Sequence, residues 1–107
     1  MNADLQPVFR ALADPTRRDI LMLLSQQDMT IAEVAAKFEI SRGAVKKHLL
    51  ILEEGSLLSV ESRGRERVNR LEADALRPVI DWVSYFNGFW DQRLDALKQA
   101  VETNETR

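Results

Sequence analysis

Residues 41–54, SRGAVKKHLLILEE, constrain the fold of this chain more than any other stretch. In a helix, Val45, Leu49 and Leu52 stack on one side while Gly43, Lys46, Lys47 and Leu50 point the other way. The apolar stripe has to be buried against other elements, and the basic side is then left facing outward. At roughly 21 Å the helix is long enough to lie in a DNA major groove. It is a candidate reading helix, and its neighbours in the chain decide whether that reading stands.

The preceding segments read as three helices. Residues 5–13 carry Leu5, Val8, Phe9 and Leu12 on one stripe, with Pro7 tolerated only near the start. Asp14 is a good N-cap and Pro15 a good first helical residue, so PTRRDILMLLS runs helical with Ile20, Leu21, Leu23 and Leu24 inward. Residues 26–29 are read as a loop. Thr30 caps IAEVAAKF, whose buried face holds Ile31, Val34, Ala35 and Phe38. A tight turn through Glu39 and Ile40 then leads to Ser41, which caps the reading helix. Two short helices joined in this way form a helix-turn-helix, although the turn lacks the frequent glycine.

After Gly55, a C′ residue for the reading helix, the pattern changes. Leu58 and Val60 alternate with Ser59 and Glu61, Arg63-Gly64-Arg65 supplies a turn, and ERVNRL returns with Val68 inward. The fold expected is mainly α with a small β-hairpin: a winged helix-turn-helix of four helices, two strands and a final helix. Residues 1–107 form one DNA-binding domain, with the helices at about 5–13 and 75–102 forming a dimer interface.

The final helix supports that interface. From Leu76, apolar residues recur at Val79, Val83, Phe86, Trp90, Leu94, Leu97 and Val101 in steps of three or four, a heptad-like stripe. A domain this small has no surface to cover a helix of about 40 Å, so a partner helix is the economical explanation. Pro78 lies in its first turn or marks a break after a short turn begun at Asp74. Trp82, Tyr85, Phe86, Phe89 and Trp90 crowd around Gly88, which costs about 1 kcal/mol of helix propensity relative to alanine. Gly88 therefore points to close backbone approach, a kink or room for a ligand. The aromatic cluster is either dimer core packed on the first helix or a pocket for an apolar small-molecule effector.

The net charge of −2 argues against nucleic acid until it is divided along the chain. Residues 41–70 hold seven basic and four acidic side chains, whereas residues 1–40 hold four and six, and residues 71–107 four and seven. The positive charge is local to one candidate surface. With no cysteine and a single histidine, His48, the chain offers neither a disulfide nor a zinc site. No apolar run approaches membrane-spanning length and Met1–Asp4 has no basic character, so a soluble cytoplasmic protein is expected. Nothing supplies a Gly-rich phosphate loop or a nucleophile–base arrangement, which argues against an enzyme.

ALADPTRRDILMLL, MTIAEVAAKFEISRGAVKKHLLILEEGSLL and the RGRERVNRL hairpin together resemble the ArsR (ArsR/SmtB-type) bacterial repressors over roughly residues 5–101. The resemblance implies a homodimer that binds an inverted-repeat operator in double-stranded DNA and represses transcription, its own gene included. Metal-sensing members carry a cysteine pair on the third helix. Here Ala32, Glu33 and Val34 stand in that region, and the last helix has Asp81, Asp91 and Asp95 but no histidine, so no metal and no cofactor are expected. The cysteine-free relatives keep an apolar effector open, and a winged helix used only for protein–protein contact is the other alternative.

Candidate DNA-contacting residues follow from chemistry. Ser41, Arg42 and Gly43 stand at a helix N-terminus that favours phosphate. Lys46 is placed to reach a guanine edge, with Arg42 next. Lys47 meets phosphate or is merely solvated. His48, at the edge of the buried stripe, either packs half-buried or meets the backbone. Leu50 contacts a thymine methyl or is simply exposed. Arg63, Arg65 and Arg67 would bring the wing to a second stretch of DNA. Arg17 and Arg18 are weaker candidates that could instead pair with Asp14 or Glu33. The interface candidates are Leu5, Val8, Phe9, Val79, Val83, Phe86, Trp90, Leu94 and Leu97.

Overall fold

A computed structural model describes residues 4–105 of the chain. Met1–Ala3, part of the stretch read for a targeting signal, and the last two residues of the expected 1–107 span lie outside the described residues. The elements are α1 (Gln6–Leu12), α2 (Pro15–Leu24), β1 (Met29–Thr30), α3 (Ile31–Phe38), α4 (Arg42–Glu54), β2 (Leu58–Arg63), β3 (Glu66–Leu71), a 3-10 turn (Ala73–Leu76), α5 (Arg77–Ser84) and α6 (Asn87–Glu105). The winged helix-turn-helix expected from the sequence is the fold observed.

Local chemistry explains where the helices begin. Asp14 Oδ2 accepts from the Arg17 N–H at 3.1 Å, capping α2. At α3 a complete capping box forms: Thr30 Oγ1 accepts from Glu33 N at 3.2 Å and Glu33 Oε1 accepts from Thr30 N at 3.0 Å. Ser41 Oγ accepts from Ala44 N at 3.1 Å to start α4. These three caps set the angle of the helix-turn-helix.

The turn between α3 and α4 manages without glycine by placing Glu39 in the left-handed region at φ 52°. A residue with a Cβ pays roughly 1–2 kcal/mol for that conformation. Glycine escapes this cost but loses more chain entropy on folding, so Glu39→Gly is expected to raise stability by about 0.5–1 kcal/mol. A higher urea midpoint at unchanged slope would register it.

Gly55 corrects one detail of the sequence reading. It ends α4, but at φ −82°, and the left-handed residue is the next one, Ser56 at φ 61°. The demand on Gly55 is space: a Cβ there would lie 3.0 Å from the Pro7 carbonyl oxygen, because α1 crosses α4 at that point.

The wing is the antiparallel pair β2 and β3, in register from Leu58 opposite Leu71 to Arg63 opposite Glu66. Gly64 at φ 64° and Arg65 make the two-residue loop, with a positive φ at the first loop residue only, the pattern of a type II′ turn. The segment read as a loop ending at Met29 contributes a strand. Met29 and Thr30 of β1 pair with Asn69 and Val68, giving a three-stranded sheet of order β1-β3-β2. Buried Asn69 seals the join by donating from Nδ2 to the Met29 carbonyl at 3.1 Å.

Between the sheet and the helices, Ile20, Val34, Val45, Leu52 and Leu57 are fully buried. Val8, expected at the dimer interface, is instead buried in this core together with Ala11, because α1 turns that side toward α4. Val79 also packs partly against the core.

The final helix is broken. After the 3-10 turn, Pro78 opens α5, as its fixed φ allows. At Tyr85–Phe86 the hydrogen bonds tighten: Tyr85 N donates to both Asp81 and Trp82 carbonyls and Phe86 N to the Val83 carbonyl, before α6 starts at Asn87. A Cβ on Gly88 would meet nothing within 4 Å, so the glycine accompanies a kink and not a close approach. α6 projects from the body, and the principal extents are 71 × 34 × 21 Å. No helix among the described residues is long and apolar enough to cross a membrane.

Candidate nucleic-acid interface

Burial of Val45, Leu49 and Leu52 fixes the rotation of α4 and thereby exposes Ser41, Arg42, Gly43, Lys46 and Lys47 along one outer face. A Cβ on Gly43 would have only the Ser41 hydroxyl within 4 Å, so the backbone here is open to close approach from outside. His48 is half-buried, as its position at the edge of the stripe implies. Its Nδ1 lies 3.3 Å from Arg17 Nη1 and 3.9 Å from Asp14 Oδ2.

Lys46 and Leu50 share a cleft of about 320 Å³ with Glu53 of the same helix, Ile31 of α3, and Val60, Arg67 and Asn69 of the wing. The cleft has an apolar floor and carries a cation from each side, Lys46 from the helix and Arg67 from the wing. Leu50, 53% exposed, is part of this lining. The sequence marked Leu50 as odd on a basic face, but the cleft needs β3 folded back beside α4 and could not be read from α4 alone.

The three wing arginines differ. Arg65 at the loop and Arg67 on β3 are exposed. Arg63, grouped with them by sequence, donates from Nη2 to Asp28 Oδ2 at 2.9 Å and to Glu61 Oε2 at 3.1 Å. These hydrogen bonds, Glu61's first, raise its pKa above the ordinary arginine value. Arg63 therefore ties the wing to the segment before β1 and is already paired with two carboxylates. Asp28 was not singled out in the sequence, and no local signal links it to a residue so far along the chain.

Arg17 and Arg18 do not pair through their side chains with Asp14 or Glu33. Arg18 Nη1 donates to the Leu12 carbonyl at 2.7 Å, and Arg17 Nε and Nη2 donate to the Ala11 and Arg10 carbonyls, each at 2.8 Å. Asp14 is held below its usual pKa chiefly by the Arg17 backbone N–H, with desolvation opposing and the Arg17 and His48 charges assisting.

Along α1, α5 and α6, aromatic residues form an outward face. Phe9 meets Trp82 edge-on at 5.7 Å, Trp82 meets Phe86 at 5.3 Å, and Phe89 meets Trp90 at 5.6 Å. Val83, Phe86, Trp90, Leu94 and Leu97 are all exposed, and Leu5 and Phe9 are partly so. Among the described residues no group of three or more His, Cys, Asp or Glu side chains could hold a metal.

A helix-turn-helix with an exposed basic face and a basic wing beside it is a winged-helix DNA-binding protein. Residues 14–60 match the family described as bacterial regulatory protein, arsR family. The chain is 38% identical over 79 residues to the transcriptional repressor SdpR of Bacillus subtilis, covering 74% of this chain and 88% of that protein. It is 32% identical over 98 residues to the HTH-type transcriptional regulator Rv2034 of Mycobacterium tuberculosis, covering 89% of this chain and 86% of the relative. Among solved structures, an ArsR-like transcriptional regulator from Rhodococcus sp. RHA1 superposes with a TM-score of 0.72 at 35% identity, over 89% of this chain and 90% of that one. The homodimeric winged helix-turn-helix DNA-binding domain Mb0332 from Mycobacterium bovis shares the fold, with a TM-score of 0.63 at 24% identity over 75% of this chain and 77% of that one. The chain belongs to the ArsR family and is a DNA-binding transcriptional regulator.

Proposed function

We propose that the chain is a homodimeric repressor that binds an inverted-repeat operator, its own promoter included, with one α4 reading each half-site. The observation that carries the reading is the row of exposed Arg42, Lys46 and Lys47 beside the wing cations Arg65 and Arg67, on a chain whose net charge is −2. A chain with acidic flanks and one basic face binds DNA through that face alone. Lys46 donates to a guanine edge, while Arg42, the N–H groups at Ser41–Gly43, Lys47 and the wing hold phosphates. His48 acts behind this surface. The exposed apolar residues of α5 and α6 are the partner-facing surface, and the homodimeric Mycobacterium bovis domain supports a twofold arrangement of this fold. A twofold dimer places its half-sites about 34 Å apart, one turn of DNA.

Footprinting the promoter of its own gene and those of its neighbours at two salt concentrations tests the reading. A protected inverted repeat is expected, and no protection at low salt would overturn it. The wing offers a finer check. Arg65→Gln or Arg67→Gln should each reduce the salt slope of operator binding by about 1.8, since the dimer loses one phosphate contact of about 0.9 in each half-site. Arg63→Gln should reduce it less, since its charge is already taken by Asp28 and Glu61. Titration of labelled operator across a salt series measures all three.

A further inference from the structure

Arg17 is the second feature around which the DNA-reading helix is organised. Its guanidinium is shared between two helices. Nε and Nη2 take the Ala11 and Arg10 carbonyls at 2.8 Å in the last turn of α1, where the Arg10 carbonyl also accepts the cap N–H of Ala13 at 3.3 Å. Nη1 reaches His48 Nδ1 on α4 at 3.3 Å. A guanidinium has only donors, so a hydrogen bond here needs the neutral ring with Nδ1 unprotonated and the proton on Nε2. Asp14 Oδ2 completes the cluster, accepting from Arg17 N at 3.1 Å and lying 3.9 Å from the same ring nitrogen.

The far side of α1 carries Phe9, edge-on to Trp82 of α5 at 5.7 Å. A continuous line of contacts therefore runs from the aromatic face through Phe9, the α1 carbonyls and Arg17 to His48, the residue after Lys47. α1 holds α4 at a second place, the C-terminal end, where Gly55 lies under the Pro7 carbonyl and Arg10 pairs with Glu54 at 3.4 Å. Of these two attachments of α1 to α4, one at its end and one at its middle, only the middle one lies beside the DNA-facing lysines.

We propose that Arg17 is a positioning residue coupling the aromatic face of α1 and α5 to the reading helix through His48, so that a change of packing at Phe9 changes DNA affinity. The proposal rests on α4 reading DNA, as argued above. It assigns to the Asp14-Pro15-Thr16-Arg17 segment a role beyond starting α2.

His48 is the single histidine, so its imidazole nitrogen resonances are unambiguous. In the wild-type chain Nδ1 should show the shift of an unprotonated nitrogen, and Phe9→Leu should move the ring resonances. In Arg17→Gln the Nδ1 resonance should shift as its charged donor is removed, and Phe9→Leu should leave the ring unmoved. Operator affinity should show the same coupling: the effect of Phe9→Leu should differ by about threefold or more between the wild-type and Arg17→Gln backgrounds. If Arg17 only stabilises the fold, Arg17→Gln lowers the melting temperature with or without Phe9→Leu and the effects on affinity stay additive. Additive effects with an unmoved His48 ring overturn the proposal, even with operator binding intact. If Arg17→Gln does not melt cooperatively, Arg17→Lys replaces it. If the wild-type chain binds no operator, the function reading falls while the resonance experiment still decides the coupling.

Discussion

Replacing Lys46 with glutamate is expected to abolish operator binding while leaving thermal melting nearly unchanged. Lys46 is exposed on α4, next in the chain to the buried Val45 and three residues before the buried Leu49, but on the other side of the helix. Its removal therefore opens no cavity. Lys46→Ala should cost the dimer about 2–6 kcal/mol of binding, one good base contact of about 1–3 kcal/mol in each half-site, and should relax sequence preference at a single position of each half-site. Lys46→Glu adds repulsion from nearby phosphates, and a loss beyond about 100-fold is expected at low salt. Fluorescence anisotropy with operator and scrambled duplexes separates the two parts: Lys46 as a base reader affects the operator more than the scrambled DNA. Equal loss on both would make it a phosphate contact, and a glutamate variant that binds within about threefold of wild type would remove α4 from the interface.

The second large effect is expected at the other end of the molecule. Leu94 and Leu97 are 63% and 62% exposed on α6, so they contribute little to the protomer's own core. Leu94→Glu combined with Leu97→Glu should give a folded monomer by sedimentation. Two linked reading helices gain roughly 10²–10⁴ in avidity over one, so operator affinity should fall by that order. Binding to a single half-site should remain. A dimer that survives both substitutions would place the interface elsewhere, on α1 and the α5 aromatics alone.

The wing arginines show how tertiary partners redirect a surface charge. By sequence, Arg63 and Arg65 flank Gly64 symmetrically and look equivalent. In the fold, Arg63 closes the ladder opposite Glu66 and reaches Asp28, whereas Arg65 stands in the loop. The same holds for Arg17, whose neighbour in sequence is Asp14 but whose guanidinium is used by α1 and α4.

What the chain determined by itself is what depends on neighbours a few residues away. Asp14 before Pro15, Thr30 three residues before Glu33, and Ser41 before the reading helix set the helix starts through side chains that satisfy nearby N–H groups. Helical periodicity then selected Val45, Leu49 and Leu52 for burial and left Lys46 outside. The tertiary structure decided the rest. A two-residue strand such as Met29–Thr30 has no periodicity to read and exists only because β3 and Asn69 lie beside it. Val8 and Phe9 are adjacent on α1, and only its packing against α4 and α5 sends one into the core and the other to the aromatic face. The Lys46–Arg67 cleft and the Arg17–His48 link likewise join residues whose meeting depends on how the helices pack, which short-range propensity does not encode.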